Sequence, residues 1–143
     1  MKKFIIANWG HGNQGKSNTV KRLTKLILEH YTTSITSPVE INFTGDVKTI
    51  ITIEELKIGI ESQGDPNSRL FESLKEFSKK SCSIIICATR TSGATVDAVN
   101  NLKKSHNYDV IWVTNYRSMD KNQEELNQIS ASHHFELIKK LIG

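Results

Sequence analysis

The sequence predicts an α/β protein: a single-domain, mostly parallel sheet flanked by helices on both faces, with a β-hairpin before an acid-tipped strand. Three observations carry this expectation. Short apolar runs alternate with amphipathic helical patterns along most of the chain. The length, 143 residues, suits one domain spanning 1–143. No repeat, linker or low-complexity tract interrupts it.

The elements follow in order. Phe4 to Asn8 is an apolar run entering Trp9-Gly10, as a buried strand entering a loop would. After Ser17, residues Val20, Leu23, Leu26, Ile27 and Tyr31 recur at three and four positions and form one helical face. Thr32-Thr33-Ser34 and Ser37-Pro38 end that helix. Residues 39–53 read as a hairpin: Val39, Ile41 and Phe43 alternate with polar residues, Gly45-Asp46 turns the chain, and Val47 to Ile53 is rich in β-branched residues. Leu56 to Ile60 is a further strand, delivering Glu61. Asp65 then stands as an N-cap with Pro66 at the first helical position, and Leu70, Phe71, Leu74 and Phe77 form the buried face. Ile84 to Ala88 is the most apolar strand. Gly93 to Lys104 is a shorter helix with Val96, Val99 and Leu102 at period three, and Asp109 to Val113 is the last strand. A final helix starts near Asn122, with Glu125 completing a capping box and Leu126, Ile129, His133, Leu137 and Leu141 facing inward.

Composition narrows the classes. No run approaches the roughly 18 apolar residues of a membrane helix. Met1 to Asn8 has a charged start, but its apolar part is too short for a signal peptide. Cys82 and Cys87, at odd spacing around an apolar run, read as reduced core residues on opposite strand faces, which suits a cytoplasmic protein. The net charge of +4 suits an anionic ligand. The lysine pairs (Lys79-Lys80, Lys103-Lys104, Lys139-Lys140) fall near helix ends, where positive charge is locally favoured, so they give no nucleic-acid signal.

One segment carries chemistry. Gly10-His11-Gly12-Asn13-Gln14-Gly15-Lys16-Ser17 satisfies G-x-x-x-x-G-K-[ST] in full, between a predicted strand and a predicted helix. Glycines let the backbone curl so that several N–H groups converge on one phosphate, and the following helix adds its own free N–H groups and the positive end of its dipole. A lysine at position 16 reaches the outer phosphates, and a hydroxyl at position 17 suits Mg²⁺, which prefers oxygen ligands. On these residues the chain resembles the P-loop nucleoside triphosphate hydrolase superfamily. The resemblance implies the P-loop fold and binding of ATP and Mg²⁺ by Gly10 to Ser17 and Asn18. It also implies a catalytic Lys16 and a metal ligand in Ser17. Such proteins carry an acid at the tip of a second strand, and Glu61 stands in that place, as a catalytic residue and Mg²⁺ ligand.

The subfamily is open. The loop is similar to that of translation GTPases, and the hairpin suits their antiparallel second strand. Guanine reading there needs Asn-Lys-x-Asp; Thr114-Asn115-Tyr116-Arg117-Ser118 offers only the Asn, and Asp120 is displaced. That favours ATP over GTP. Glu61-Ser62-Gln63-Gly64 has the length of Asp-x-x-Gly with Glu replacing Asp. Deoxynucleoside kinases place Glu-Arg-Ser after the comparable strand; here Glu61-Ser62 lacks the Arg, and no arginine-rich lid follows. Arg90 and Arg117 each follow a strand, where an arginine can stabilise a transferring phosphoryl group. Gln63 is placed to orient water, Asp46 to turn the hairpin or meet an acceptor hydroxyl, and His11 and Gln14 fill variable loop positions. The leading expectation is Mg²⁺-dependent ATP hydrolysis by a minimal core that switches contact with a protein partner through loops 90–95 and 115–121 or the hairpin. The alternatives are a small-molecule or nucleotide kinase and a GTPase-like or non-catalytic nucleotide-binding module.

Overall fold

A computed structural model describes residues 2–11 and 15–143 of the protein. Strands β1 (Phe4–Trp9), β2 (Ser34–Ile41), β3 (Val47–Ile53), β4 (Leu56–Glu61), β5 (Ile84–Thr89) and β6 (Asp109–Val113) form one sheet in the order β2-β3-β4-β5-β1-β6. Helices α1 (Lys16–His30), α2 (Leu70–Lys79), α3 (Ala94–His106) and α4 (Gln123–Ile142) complete an α/β domain. The sheet is mixed. β1 lies between β5 and β6 and β4 beside β5, all parallel, whereas β2, β3 and β4 run antiparallel in sequence. The expected hairpin is therefore present and continues into the acid-tipped strand.

Two apolar clusters stabilise this arrangement. Ile6, Ile58, Ile60, Ile84 and Ile86 pack with Val20, Leu23 and Ile27 of α1 and with Ala131, Phe135 and Ile138 of α4. Ile5, Ala7, Ile50, Ile85 and Cys87 pack with Leu70, Leu74 and Phe77 of α2 and with Val99 and Leu102 of α3. Alternate residues of β1 and β5 thus enter different clusters, as a period of two requires. β5 is buried along its whole length, which is why it reads as a continuous apolar run rather than an alternation.

Four expectations are corrected. The strand after α1 begins at Ser34 and runs through Ser37-Pro38, with a register shift between Thr36 and Val39, so Pro38 does not separate it from the helix. Its place on the sheet edge tolerates a residue that cannot donate to a ladder. α2 begins at Leu70, not at Asp65-Pro66. The Asp65 carbonyl closes a turn with the Ser68 N–H (3.1 Å), and its carboxylate pairs with Arg90 instead of capping a helix. α4 does start after Asn122, whose side chain accepts from the Glu124 and Glu125 N–H groups, but its inward face is Asn127, Ser130, Ala131, His134, Phe135 and Ile138. Ile129 and His133 point outward, and Leu137 and Leu141 are only partly buried. Finally, Cys82 precedes β5 and joins Cys87 in one cluster, so the two are not on opposite faces of a strand. Both are free and buried, and burial pushes each thiol up to about 12. No helix among the described residues is long and apolar enough to cross a membrane.

Candidate functional site

The carboxyl ends of β4 and β5, the hairpin turn and the start of α1 surround a cavity of about 700 Å³. Crevices at this edge of an α/β sheet are the usual ligand position. Gly15, Lys16, Ser17 and Asn18 line one wall; Asp46, Ser62 to Ser68, Ala88 and Arg90 line the others. Gly15 precedes α1 with φ +75°, a left-handed conformation that favours glycine, and a Cβ there would collide with the Asn127 side chain. Gly12, Asn13 and Gln14 lie outside the described residues. Gly10 is buried, and His11 is exposed.

Lys16 is 7% exposed. Its ammonium donates to the carbonyls of Gly10 and Thr89, both at 2.5 Å, bridging the tips of β1 and β5. Burial, reinforced by nearby Arg90 and opposed by Asp65, holds its pKa down at about 8. A cation desolvated in this way gains from an anion brought into the cavity. Arg90, at the end of β5, pairs with Asp65 (3.0 Å) across the same opening. Asp46, in the hairpin turn, accepts from Ser62 Oγ (3.2 Å) and from Gln63 Nε2 (2.9 Å). Gly64 lies against β5 so closely that a Cβ would stand 2.5 Å from the Ala88 carbonyl oxygen.

Glu61 sits elsewhere. It is fully buried, takes Ser73 Oγ–H at 2.6 Å and Arg69 Nε–H at 2.7 Å, and accepts the Gln63 N–H at 3.1 Å. It is not among the residues lining the cavity. Ile60 belongs to the α1 and α4 cluster, so the next residue along the strand points the other way, toward α2. β5 also separates β4 from β1, which sets the two strands roughly 10 Å apart. Arg69 extends the network to Glu40 on β2, and these two carboxylates outweigh the desolvation of Arg69 and raise its pKa.

The remaining residues are positioned as follows. Asn115, after β6, accepts from Asn8 Nδ2 (2.7 Å) and donates to Thr19 Oγ1 (2.7 Å), tying β6 and β1 to α1. Arg117 and Asp120 are exposed. His133 meets the Tyr116 hydroxyl at 2.9 Å, while buried His134 lies 3.2 Å from the Thr114 carbonyl and has its pKa lowered by burial. Ser62 carries no sequence motif of its own, and Asp46 reads from sequence mainly as a turn residue. The signal for both is topological: the β3–β4 pairing brings residue 46 beside residue 62, as the Ser62 hydroxyl bond to the Val47 N–H shows.

No protein-family model matches this chain, and a search of curated proteins finds none similar to it.

Proposed function

We propose that this chain is a P-loop nucleoside triphosphate-binding protein, with the two-sided layering of helices that fold implies, and that it binds ATP with Mg²⁺ at the Lys16 cavity and hydrolyses it. The observation that carries this reading is the meeting of the complete G-x-x-x-x-G-K-[ST] pattern with its setting: Lys16 and Ser17 open α1 directly after a β-strand and loop, and both line the cavity. Free N–H groups at the start of α1 and the ammonium of Lys16 supply the positive field for phosphates. On phosphate entry the Lys16 ammonium exchanges the Gly10 and Thr89 carbonyls for phosphate oxygens, a stronger charge-assisted bond. Arg90 faces the same space and is placed to neutralise charge on the outer phosphate.

The donor set suits Mg²⁺. Ser17 and Asp46 line the cavity with hard oxygens, and Mg²⁺ needs only one or two carboxylates beside phosphates and waters. When bound, Mg²⁺ neutralises phosphate charge. Glu61 does not fit that role in this arrangement, because its oxygens are engaged by Arg69, Ser73 and Gln63 away from the cavity. That engagement favours a second reading, nucleotide binding without turnover, in which Asp46 and the Arg90-paired Asp65 are the acids among the described residues lining the cavity.

Calorimetric titration with Mg-ATP, coupled to a phosphate-release assay, tests both. Wild type binds, and Lys16→Ala weakens binding by roughly tenfold to a hundredfold, the worth of a hydrogen bond to a charged group. Wild type that shows no binding at millimolar ATP, or Lys16→Ala that binds equally well, contradicts the proposal. Binding with no phosphate released selects the second reading.

A further inference from the structure

Both tryptophans of the chain, Trp9 and Trp112, stand at one place. They are 37% and 38% exposed, and with Thr91 and Val96 they line a notch of about 300 Å³. The strand register explains the meeting. Ala7 of β1 pairs with Trp112 of β6, and Trp9 lies two residues beyond Ala7, so both indoles share the α3 side of the sheet. Two part-exposed indoles side by side offer apolar ring faces to a flat ligand.

Continuity with the phosphate cavity says what the surface takes. Trp9 immediately precedes Gly10, whose carbonyl holds Lys16. Arg90 lines the cavity, and the next residue, Thr91, lines the notch. The cavity opens over β4 and β5 and the notch over β1 and β6 on the α3 side, a lateral offset along the sheet of two strand spacings, or roughly 10 Å. That is within the reach of a ribose and its phosphate chain. We infer that the notch between Trp9 and Trp112 receives the base of the nucleotide whose phosphates lie at Lys16 and Ser17. This inference rests on the phosphate-site reading above.

The chemistry of the notch sets the specificity. The Thr91 hydroxyl and the two indole N–H groups are the polar side-chain groups among its four lining residues, too few to read a base edge by a donor and acceptor pattern. Recognition is therefore by stacking on indole faces, which every base offers, rather than by hydrogen bonds to base edges. Asn115, the residue nearest to a guanine-reading pattern, ties Asn8 to Thr19. The base is thus held without being read, and ATP and GTP bind within a few-fold of one another.

Because the chain holds no other tryptophan, its intrinsic indole fluorescence reports on this notch alone. Titrations with ATP, GTP and inorganic triphosphate separate base from phosphate. ATP and GTP quench the emission and bind roughly tenfold to a hundredfold more tightly than inorganic triphosphate, which leaves the emission unchanged. Trp112→Ala brings the ratio of ATP to triphosphate affinity toward one, and Trp112→Phe, which keeps an aromatic face, restores most of it. Equal affinity for ATP and triphosphate, with no quenching, overturns the inference and leaves the phosphate site standing. Failure of all three ligands to bind overturns both.

Discussion

Two charges are buried at the carboxyl edge of the sheet, and they have opposite surroundings. Lys16 is held by two backbone carbonyls, on the wall of an open cavity. Glu61 is held by an arginine, a serine and a backbone N–H, in a closed network against α2. Among the described residues no carboxylate bonds to Lys16, and burial lowers its pKa to about 8, so an anion entering the cavity would stabilise its charged form. Glu61 is already ion-paired with Arg69 within the protein. A buried charge at a strand end points to a ligand site when its partners are neutral and it faces open space, as Lys16 does. A charge closed off by an ion pair and hydrogen bonds serves the fold.

The largest effect is expected at Glu61. Glu61→Ala leaves Arg69 with only exposed Glu40 and leaves Ser73 without its acceptor. Loss of one partner from such a buried pair costs about 3 kcal/mol, read as a lowered urea midpoint. The folded fraction keeps its affinity for triphosphate. A variant that is fully stable, yet loses Mg²⁺-dependent binding, would place Glu61 in the site after all. Next in size, Asp46→Asn removes the acid nearest Ser62 and Gln63 in the cavity. Mg²⁺ then ceases to strengthen ATP binding, by roughly tenfold, while binding without metal is kept or improved. An unchanged Mg²⁺ dependence would assign the metal to another group.

The smallest effect is on the pH dependence of stability. Lys16 gives up its proton near pH 8 in the fold and near 10.5 when unfolded. The unfolded chain binds more protons between these values, so this group makes stability rise with pH from about 8. Cys82, Cys87 and Tyr108 act in reverse: folded, they hold their protons to about 12, and unfolded they lose them from 9.0 and 10.0. Stability therefore rises gently from pH 8 to about 9 and falls beyond. Lys16→Met abolishes the rise and leaves the fall, which chemical denaturation across pH 7–11 would show. A rise persisting in the variant would mean that another group causes it.

Much of this arrangement is visible in the amino-acid pattern, and the failures have physical causes. Val20, Leu23 and Ile27 mark the face of α1 because only apolar contacts hold those positions. α4 misleads because its inward side is polar in part. Asn127 accepts from Gln123, Ser130 Oγ from the Tyr116 N–H, and His134 lies by the Thr114 carbonyl, so buried polar residues displaced the expected face onto Ile129 and His133. Phe135 and Ile138, at helical spacing from Ala131, were the signal for the true one. The direction of Glu61 is hidden by Gly59. These two residues share a face of β4, and the glycine leaves no side chain to reveal it, because the Phe77 ring fills the space, 2.5 Å from where a Cβ would be. Asp65 looked like a cap because Pro66 follows, but Arg90, twenty-five residues away in sequence, claims its carboxylate.

Amide NMR during a titration with inorganic triphosphate measures the two regions at once. Shifts centre on Gly15 to Asn18, Gly64 and Arg90, while Arg69 and Ser73 stay close to their free positions. Absence of any shift, or shifts centred on Glu40, Glu61, Arg69 and Ser73, would contradict this expectation.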